Sequence, residues 1–179
     1  MHSQPFAVLL RGGDRRSIGR SSLVVKLVLS APTRFAELIK CLWSDDPIVR
    51  MRAADAAEKV SGRNPELLKS YKTELLGLLA EAEQSELRWH LAQMIPRLSL
   101  TKPESERAAQ TLQLYLEDRS SIVRTFALQA LSDLSKSDAG LRPRVRELLE
   151  QSTVRGTAAL KARARKILKG LKPEASGPI

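Results

Sequence analysis

The chain has 179 residues, 42% of them apolar and only 4% aromatic, and its formal net charge is +10. One cysteine and two histidines exclude an internal disulfide and give no framework for a metal site. No stretch of about 18 apolar residues occurs, so we expect no membrane-spanning helix. We therefore expect a cytoplasmic protein with no metal and no cofactor. Since leucine and alanine dominate the apolar residues, we predict an all-α fold.

Residues 1–33 are predicted to form an N-terminal basic loop followed by a capping helix. The helix is expected to begin at Ser21 or Ser22 and to end before Pro32. The loop contains four arginines that can bind phosphate with paired N–H groups beside the N-terminus of this helix. These candidate anion-binding residues are Arg11, Arg15, Arg16 and Arg20. The alternative is a solvated loop in which Asp14 pairs with one of the arginines.

The same loop has a faint similarity to the nucleotide-binding pattern G-x-x-x-x-G-K-S/T. Five residues rather than four separate Gly13 from Gly19, arginine stands in place of lysine, and no strand–helix–strand pattern surrounds the loop. We therefore do not predict nucleotide hydrolysis.

Four segments of the chain repeat one pattern. An aliphatic residue followed by a basic residue recurs every 36 to 38 residues, and apolar residues follow the basic one by three, six, seven and ten positions. The aligned pairs are Val49-Arg50, Leu87-Arg88, Val123-Arg124 and Leu160-Lys161. Steps of three and four place apolar side chains on one face of a helix. A leucine also precedes each aliphatic by eleven positions, so each segment is predicted to be two helices joined by a short turn.

Helix-start signals divide the chain in the same way. Asp46-Pro47 and Asn64-Pro65 are typical of an N-cap followed by proline in the first turn. Pro103 and Pro143 are expected to begin the first helices of the third and fourth segments. The predicted repeats, which together cover 34–171, are residues 34–64, 65–102, 103–141 and 142–171. Residues 172–179 are expected to be a flexible tail.

The second helix of the first repeat begins with the pattern Asp-Pro-x-Val-Arg-x-x-Ala-x-x-Ala, starting at Asp46. This pattern, with its two-helix period, resembles the HEAT-repeat family, including its small bacterial members. The fourth repeat is the most divergent, with Lys161 in place of arginine. The resemblance implies a right-handed α-α superhelix (a HEAT-like solenoid) of about four helix pairs plus an N-terminal cap. It also implies that the basic residue of each pair bonds an acidic side chain or a carbonyl in the inter-repeat turn.

The concave face of such a stack is the first candidate binding site. Positions one, two, five and nine after each basic residue point away from the apolar stripe. The residues predicted to bind a partner in this groove are Arg52, Asp55, Trp89, His90, Gln93, Arg97, Phe126, Gln129, Arg163 and Lys166. Aromatic and arginine side chains can stack on a ligand or anchor a partner helix. The alternative is that Trp89 or Phe126 belongs to the core.

Positive charge is concentrated at both ends of the chain. Residues 1–34 carry six basic and one acidic side chain, and residues 142–172 carry ten basic and two acidic ones. At the second end the predicted anion-binding residues are Arg142, Arg144 and Arg146, followed by a last helix rich in lysine and arginine. Such a surface attracts a phosphate backbone or an acidic protein. Aromatic residues are too sparse at this end to predict base stacking.

These observations favour a non-enzymatic scaffold or interaction protein that binds a macromolecular partner, most simply a protein, through the groove and the basic ends. The first alternative is a nucleic-acid-binding protein that contacts mainly phosphates. The second is a HEAT-like DNA base-processing enzyme using Asp55, Trp89 and His90. Since no constellation of catalytic residues supports the enzyme, we predict that the protein is not one.

Overall fold

The computed structural model describes residues 4–14 and 16–171, and every regular element in these ranges is helical. The prediction of an all-α protein is therefore confirmed. The α-helices of these ranges are α1 (Phe6–Leu10), α2 (Ser21–Ser30), α3 (Phe35–Lys40), α4 (Pro47–Arg63), α5 (Lys72–Glu81), α6 (Ser85–Met94), α7 (Lys102–Leu114), α8 (Ser121–Ser137), α9 (Arg142–Val154) and α10 (Ala158–Gly170). In the same ranges, none of the helices has both the length and the apolar character needed to cross a membrane.

Short 3-10 segments extend or precede several of these helices. The longest, Pro65–Tyr71, stands where the Asn64-Pro65 signal predicted the start of an α-helix, and α5 begins only after it. Another, Ile95–Arg97, ends α6 early. The reason is Pro96, which has no backbone N–H and cannot continue an α-helix. Leu98, expected on the second helix of this repeat, is buried but lies beyond the helix.

The chain divides into two compact units, Met1–Leu100 and Thr101–Ile179. In unit 1, α4 packs against α1, α2, α3 and α6. Four alanines and two valines of α4 are fully buried, and the small alanine side chains let the neighbouring helices approach closely. The α4 N-terminus is capped by the Asp46 carboxylate, which accepts from the backbone N–H of Ile48 at 2.8 Å.

In unit 2, α8 packs against α7, α9 and α10, and α9 also packs against α10. The caps differ from helix to helix. The Ser120 hydroxyl accepts from Val123 N–H at the start of α8, and the Thr157 hydroxyl accepts from Leu160 N–H at the start of α10. The backbone N–H of Thr101 donates to Glu104 at 2.7 Å at the start of α7.

The aligned aliphatic residues of the sequence repeat have the same place in the structure. Each is the third residue of its helix, in α4, α6, α8 or α10, and each is buried. They are Val49, Leu87, Val123 and Leu160. The repeat therefore marks equivalent helix starts in both units.

Candidate functional site

The N-terminal loop has a different internal chemistry from the one expected. Its described arginines, Arg11, Arg16 and Arg20, are exposed, and Arg15 lies outside the described residues. The interior of the loop is lined by backbone carbonyl oxygens, which accept hydrogen bonds from the guanidinium of Arg52. The loop thus surrounds a cation of the chain itself instead of presenting N–H groups to an anion.

The contacts of Arg52 use all three nitrogens of its guanidinium. Nη1 donates to the carbonyls of Leu10 (2.8 Å), Arg11 (3.4 Å) and Gly12 (2.5 Å). Nη2 donates to Asp14 O and Nε to Ser17 O, both at 3.0 Å. Arg52 was expected to face the groove, but only 2% of it is exposed. This corrects the prediction, since a guanidinium held by its own loop cannot also bind a partner.

Glycines give the loop its shape. Gly12, Gly13 and Gly19 have φ values of +72°, +77° and +53°, a region that favours glycine. A Cβ on Gly19 would also lie 2.6 Å from Cζ of Arg52. The loop borders an open depression of about 390 Å³ lined by Arg11 and Arg20 but also by Asp14, so its charge is mixed.

Asp55 and His90, two further residues of the predicted groove, are buried in unit 1, with 9% and 7% exposed. The Asp55 carboxylate accepts from the hydroxyl of Ser21 and, at 2.7 Å, from Nζ of Lys59. His90 stacks on Trp89 with ring centroids 4.8 Å apart, and its Nδ1 has no hydrogen-bond partner among the described residues. Neither buried residue is placed to meet a partner at the surface, which corrects this part of the groove prediction.

The environment of His90 keeps its imidazole neutral. Burial lowers its pKa from 6.5 to about 4, and the charge of Lys59 acts in the same direction. The carboxylates of Asp55, Glu58 and Glu86 oppose the shift without overcoming it. Among the described residues no hydrogen bond joins Asp55 to His90, so the structure offers no acid–base pair here.

The other predicted groove residues of unit 1, Trp89, Gln93 and Arg97, are half-buried, and each has contacts within the chain. Arg97 donates to the carbonyl of Glu58 at 2.7 Å and to Ser61 Oγ at 2.8 Å, and it pairs with the Glu58 carboxylate. The Gln93 side chain donates to the backbone carbonyl of Trp89 at 3.3 Å. The Arg97 contacts join the 3-10 extension of α6 to α4, whereas the Gln93 bond lies within α6.

In unit 2 the predicted groove residues do come together at the surface. Arg163 of α10 lies over the half-buried ring of Phe126 of α8, with its Cζ 5.9 Å from the ring centroid. Nη1 of Arg163 donates to Oε1 of Gln129 at 3.1 Å. Lys166, one turn further along α10, is exposed. Residues 37 positions apart in the sequence therefore form one surface cluster, which we call the Phe126 cluster: Phe126, Gln129, Arg163 and Lys166.

The predicted anion-binding residues of α9 are less available than expected. Arg144 donates to Glu106 at 3.0 Å and also bonds Gln113. Arg142 donates to the carbonyl of Ser135 at 3.2 Å and is otherwise exposed, while Arg146 is half-exposed. Of these three arginines, Arg142 and Arg146 have no acidic partner among the described residues.

Helix α10 carries five basic and no acidic residues. All five are exposed or half-exposed, and four of them form no ion pair or hydrogen bond with another described side chain. We call this set the α10 basic face: Lys161, Arg165, Lys166 and Lys169. Sequence reasoning noted these charges but could not tell which were paired, since pairing depends on which acids pack nearby.

The basic residue that follows each aligned aliphatic has a structural role in unit 1. Arg50 donates to the carbonyls of Ser44 (2.6 Å) and Asp45 (3.2 Å), and Arg88 donates to that of Ala82 (2.6 Å). These carbonyls belong to the turn just before the helix that carries each arginine. The expected bond to a turn carbonyl is present, but the turn lies inside a helix pair rather than between repeats.

Reactive and metal-binding groups are scarce in the described residues. They hold no group of three or more histidine, cysteine, aspartate or glutamate side chains that could bind a metal ion. Burial, and to a smaller extent the charge of Glu37, raises the pKa of the Cys41 thiol to about 11. This thiol is protonated at neutral pH and therefore a poor nucleophile.

No protein-family model matches this chain, and no curated protein matches it. The HEAT resemblance therefore depends on the internal repeat and on the residues that carry it.

Proposed function

We propose that this chain is a non-enzymatic interaction protein that binds the phosphate backbone of a nucleic acid through the α10 basic face. The observation that carries the proposal is that α10 has five basic and no acidic residues. A phosphate backbone is a row of negative charges that lysine and arginine neutralise with release of counterions. The described residues also hold no catalytic constellation that would favour an enzyme.

The spacing of the α10 charges supports the same conclusion. Lys161, Arg165 and Lys169 follow each other at intervals of four residues, so they are neighbours on one side of the helix. Like charges at this spacing destabilise a helix by about 0.2–0.5 kcal/mol per pair. A bound polyanion would remove this repulsion. In unit 1, by contrast, Arg50, Arg52, Arg88 and Arg97 already bond carbonyls or carboxylates of the chain.

We further propose that the helix pairs form a right-handed HEAT-like stack and that the protein is cytoplasmic. The equivalent helix starts of the repeat support the stack, because such repeats bury their apolar faces against their neighbours. The single cysteine supports a reducing compartment. Small-angle scattering would test the stack through the elongation of the molecule, and cell fractionation would test the compartment.

A protein partner is the second candidate, and the exposed apolar side chains of unit 2 favour it. Ile122, one turn before Phe126 on α8, is 46% exposed, and Leu114 and Val154 are more than 70% exposed. Apolar and arginine anchors together are typical of protein interfaces. An acidic protein that binds these apolar side chains would compete with a nucleic acid for the α10 basic face.

The test is fluorescence anisotropy of labelled single-stranded and duplex DNA with the full chain at about 50 mM salt, where phosphate contacts are strong. The triple variant Lys161→Gln, Arg165→Gln and Lys169→Gln should lose at least tenfold in affinity. The matched control removes three exposed charges of unit 1, by Lys26→Gln, Lys40→Gln and Arg63→Gln, and should bind as the wild type does.

Two results would contradict the proposal. An equal loss in both triple variants would mean that binding depends on total charge and not on α10. Absence of binding by the wild type at this salt concentration would leave an acidic protein as the partner to test.

A further inference from the structure

The Phe126 cluster pairs a planar cation with an aromatic ring at the surface of unit 2. We infer that this cluster binds a base of a single-stranded nucleic acid, which enters between the Phe126 ring and the Arg163 guanidinium. The inference depends on the proposed function and adds to it the class of nucleic acid. It also revises the expectation that this end of the chain is too poor in aromatic residues for stacking.

The Arg163 guanidinium lies farther from its aromatic ring than the corresponding group of unit 1 does. In unit 1, Arg34 lies directly on the ring of Phe6, with Cζ 3.8 Å from the centroid. Over Phe126 the same distance is 5.9 Å. A flat base between two flat groups needs about 7 Å, which is two contact distances of about 3.5 Å. Arg163 would therefore have to move away from the ring for a base to enter.

The guanidinium is positioned by a chain of polar contacts. Arg163 donates to Oε1 of Gln129, and Nε2 of Gln129 donates to both carboxylate oxygens of Asp133 at 3.2 Å. Lys136 pairs with the same carboxylate at 2.6 Å. The pairing with Lys136 weakens the repulsion between Asp133 and an approaching phosphate. Arg163 is held near the ring without an acid of its own.

The charges beside the cluster fit the strand that would carry the base. Lys166 follows Arg163 by three residues on α10, about 4.5 Å along the helix axis. Lys169 follows Lys166 by the same step, so cations continue from the cluster onto the α10 basic face. A nucleotide whose base lies on Phe126 then has its phosphates beside lysine side chains.

Only a single strand presents its bases in this way. In a duplex each base is stacked and paired, and its flat face is covered, whereas unpaired bases stack on aromatic side chains and on arginine. The cluster makes no contact that would select one base, so stacking should be tolerant of sequence. The structure thus points to weakly sequence-specific binding of single strands.

The experiment compares two labelled strands of equal length and charge, one with bases and one abasic, titrated with the full chain. In Phe126→Leu the apolar volume is nearly kept and the aromatic face is lost. This variant should bind the base-containing strand about tenfold more weakly and the abasic strand as the wild type does. The matched control Trp43→Leu, at an exposed aromatic of unit 1, should change neither affinity.

The outcomes separate this inference from the proposed function. Suppose that the wild type binds the abasic strand, so that phosphate binding stands. Equal affinities of the wild type and Phe126→Leu for the base-containing strand would then overturn stacking on Phe126. An equal loss for both strands assigns Phe126 to the core and also overturns it. If the wild type binds neither strand, the proposed function fails and the inference fails with it.

A second variant keeps the test valid if Phe126→Leu does not fold, as judged by circular dichroism. Arg163→Lys retains the charge but not the planar group. It should lower the affinity for the base-containing strand by about threefold or more and leave the affinity for the abasic strand unchanged. An equal loss of affinity for both strands would mean that Arg163 contacts phosphate and not the base, which would contradict the inference.

Discussion

At the scale of single residues, Arg52 shows how a charged side chain can be buried in a helical protein. A buried guanidinium is costly unless its N–H groups have acceptors. Here the glycine-containing loop before α2 turns five carbonyl oxygens towards it. The loop in turn depends on the arginine, because these carbonyls converge on one cation. Each part therefore holds the other in place.

We predict that Arg52→Ala loosens the N-terminal segment and lowers the free energy of unfolding by about 2–3 kcal/mol, the scale of hydrogen bonds to a buried charge. Urea denaturation measures the loss, and hydrogen exchange of residues 5–20 should become faster. Arg63→Ala, at an exposed arginine of the same helix, is the control and should change stability by less than about 0.5 kcal/mol. Unchanged exchange in Arg52→Ala would contradict the role of this side chain.

His90 gives unit 1 a dependence on pH. Its pKa is about 4 in the folded chain and 6.5 as the ordinary value, so between these values the unfolded chain binds the proton more readily. The stability contribution of the neutral imidazole is complete above pH 6.5 and is lost as the pH falls towards 4. The slope of the free energy of unfolding against pH reaches about 1.4 kcal/mol per pH unit for one such group.

We therefore predict that His90→Gln has a flatter pH profile of stability than the wild type between pH 6.5 and 4.5. Urea midpoints at several pH values measure this difference. His2 and all carboxylates are common to both proteins, so their titration largely cancels in the comparison. Parallel profiles would show that the folded and unfolded chains bind the His90 proton equally.

The sequence could not predict the burial of Arg52, Asp55 and His90. Their helical positions place them off the apolar stripe, and such positions are normally exposed. Arg52 and Asp55 are buried because the N-terminal segment lies against α4, with Arg52 inside the loop and Ser21 bonded to Asp55. His90 belongs to α6, which packs against α4. The contact of the N-terminal segment with α4 joins residues more than 30 positions apart, and no periodicity within α4 reports it. An arginine within an alanine-rich run was the one available signal.

At the scale of elements, glycines in a helix and in a loop have opposite roles. Gly77 lies within α5, is exposed, and has nothing within 4 Å of the place where a Cβ would stand. Gly19 lies in the loop at φ +53°, against the Arg52 guanidinium. Of these two positions, position 19 needs glycine and position 77 does not.

We predict that Gly77→Ala raises the free energy of unfolding by about 0.5–1 kcal/mol, since alanine favours a helix and restricts the unfolded chain. Gly19→Ala should lower it by about 1 kcal/mol or more, because of the positive φ and the contact with Arg52. Thermal unfolding of the two variants measures both changes. A stabilising Gly19→Ala would show that the loop does not close on the arginine as described.

The start of α4 at Asp46-Pro47 was predicted correctly, whereas the Asn64-Pro65 signal marks a 3-10 segment. Asp46, Ser120 and Thr157 cap helices by side-chain hydrogen bonds that depend on local sequence. The early end of α6 was missed because the repeat pattern continues to Leu98 across Pro96. The periodicity reports which residues are buried, and it does so correctly for Leu98, but burial does not require a continuous helix.

At the scale of the whole molecule, the all-α fold followed from composition and from the spacing of four aliphatic residues. Both are averages over many residues, so single exceptions such as Pro96 do not change them. The candidate site was predicted only in part. The pairing of Phe126 with Arg163 agrees with the shared groove position, whereas the availability of the basic residues depended on packing with Glu106 and Gln113.

The central claim is that the α10 basic face binds phosphates, and the salt dependence of affinity tests it most directly. Binding of a single-stranded oligonucleotide should weaken with a slope of log affinity against log salt of about −3, since four neutralised phosphates contribute about 0.7 each. The Lys161, Arg165 and Lys169 triple variant should have a slope near −1, and the unit 1 control should keep the wild-type slope. A wild-type slope near zero, or the same slope in the α10 variant, would contradict the account.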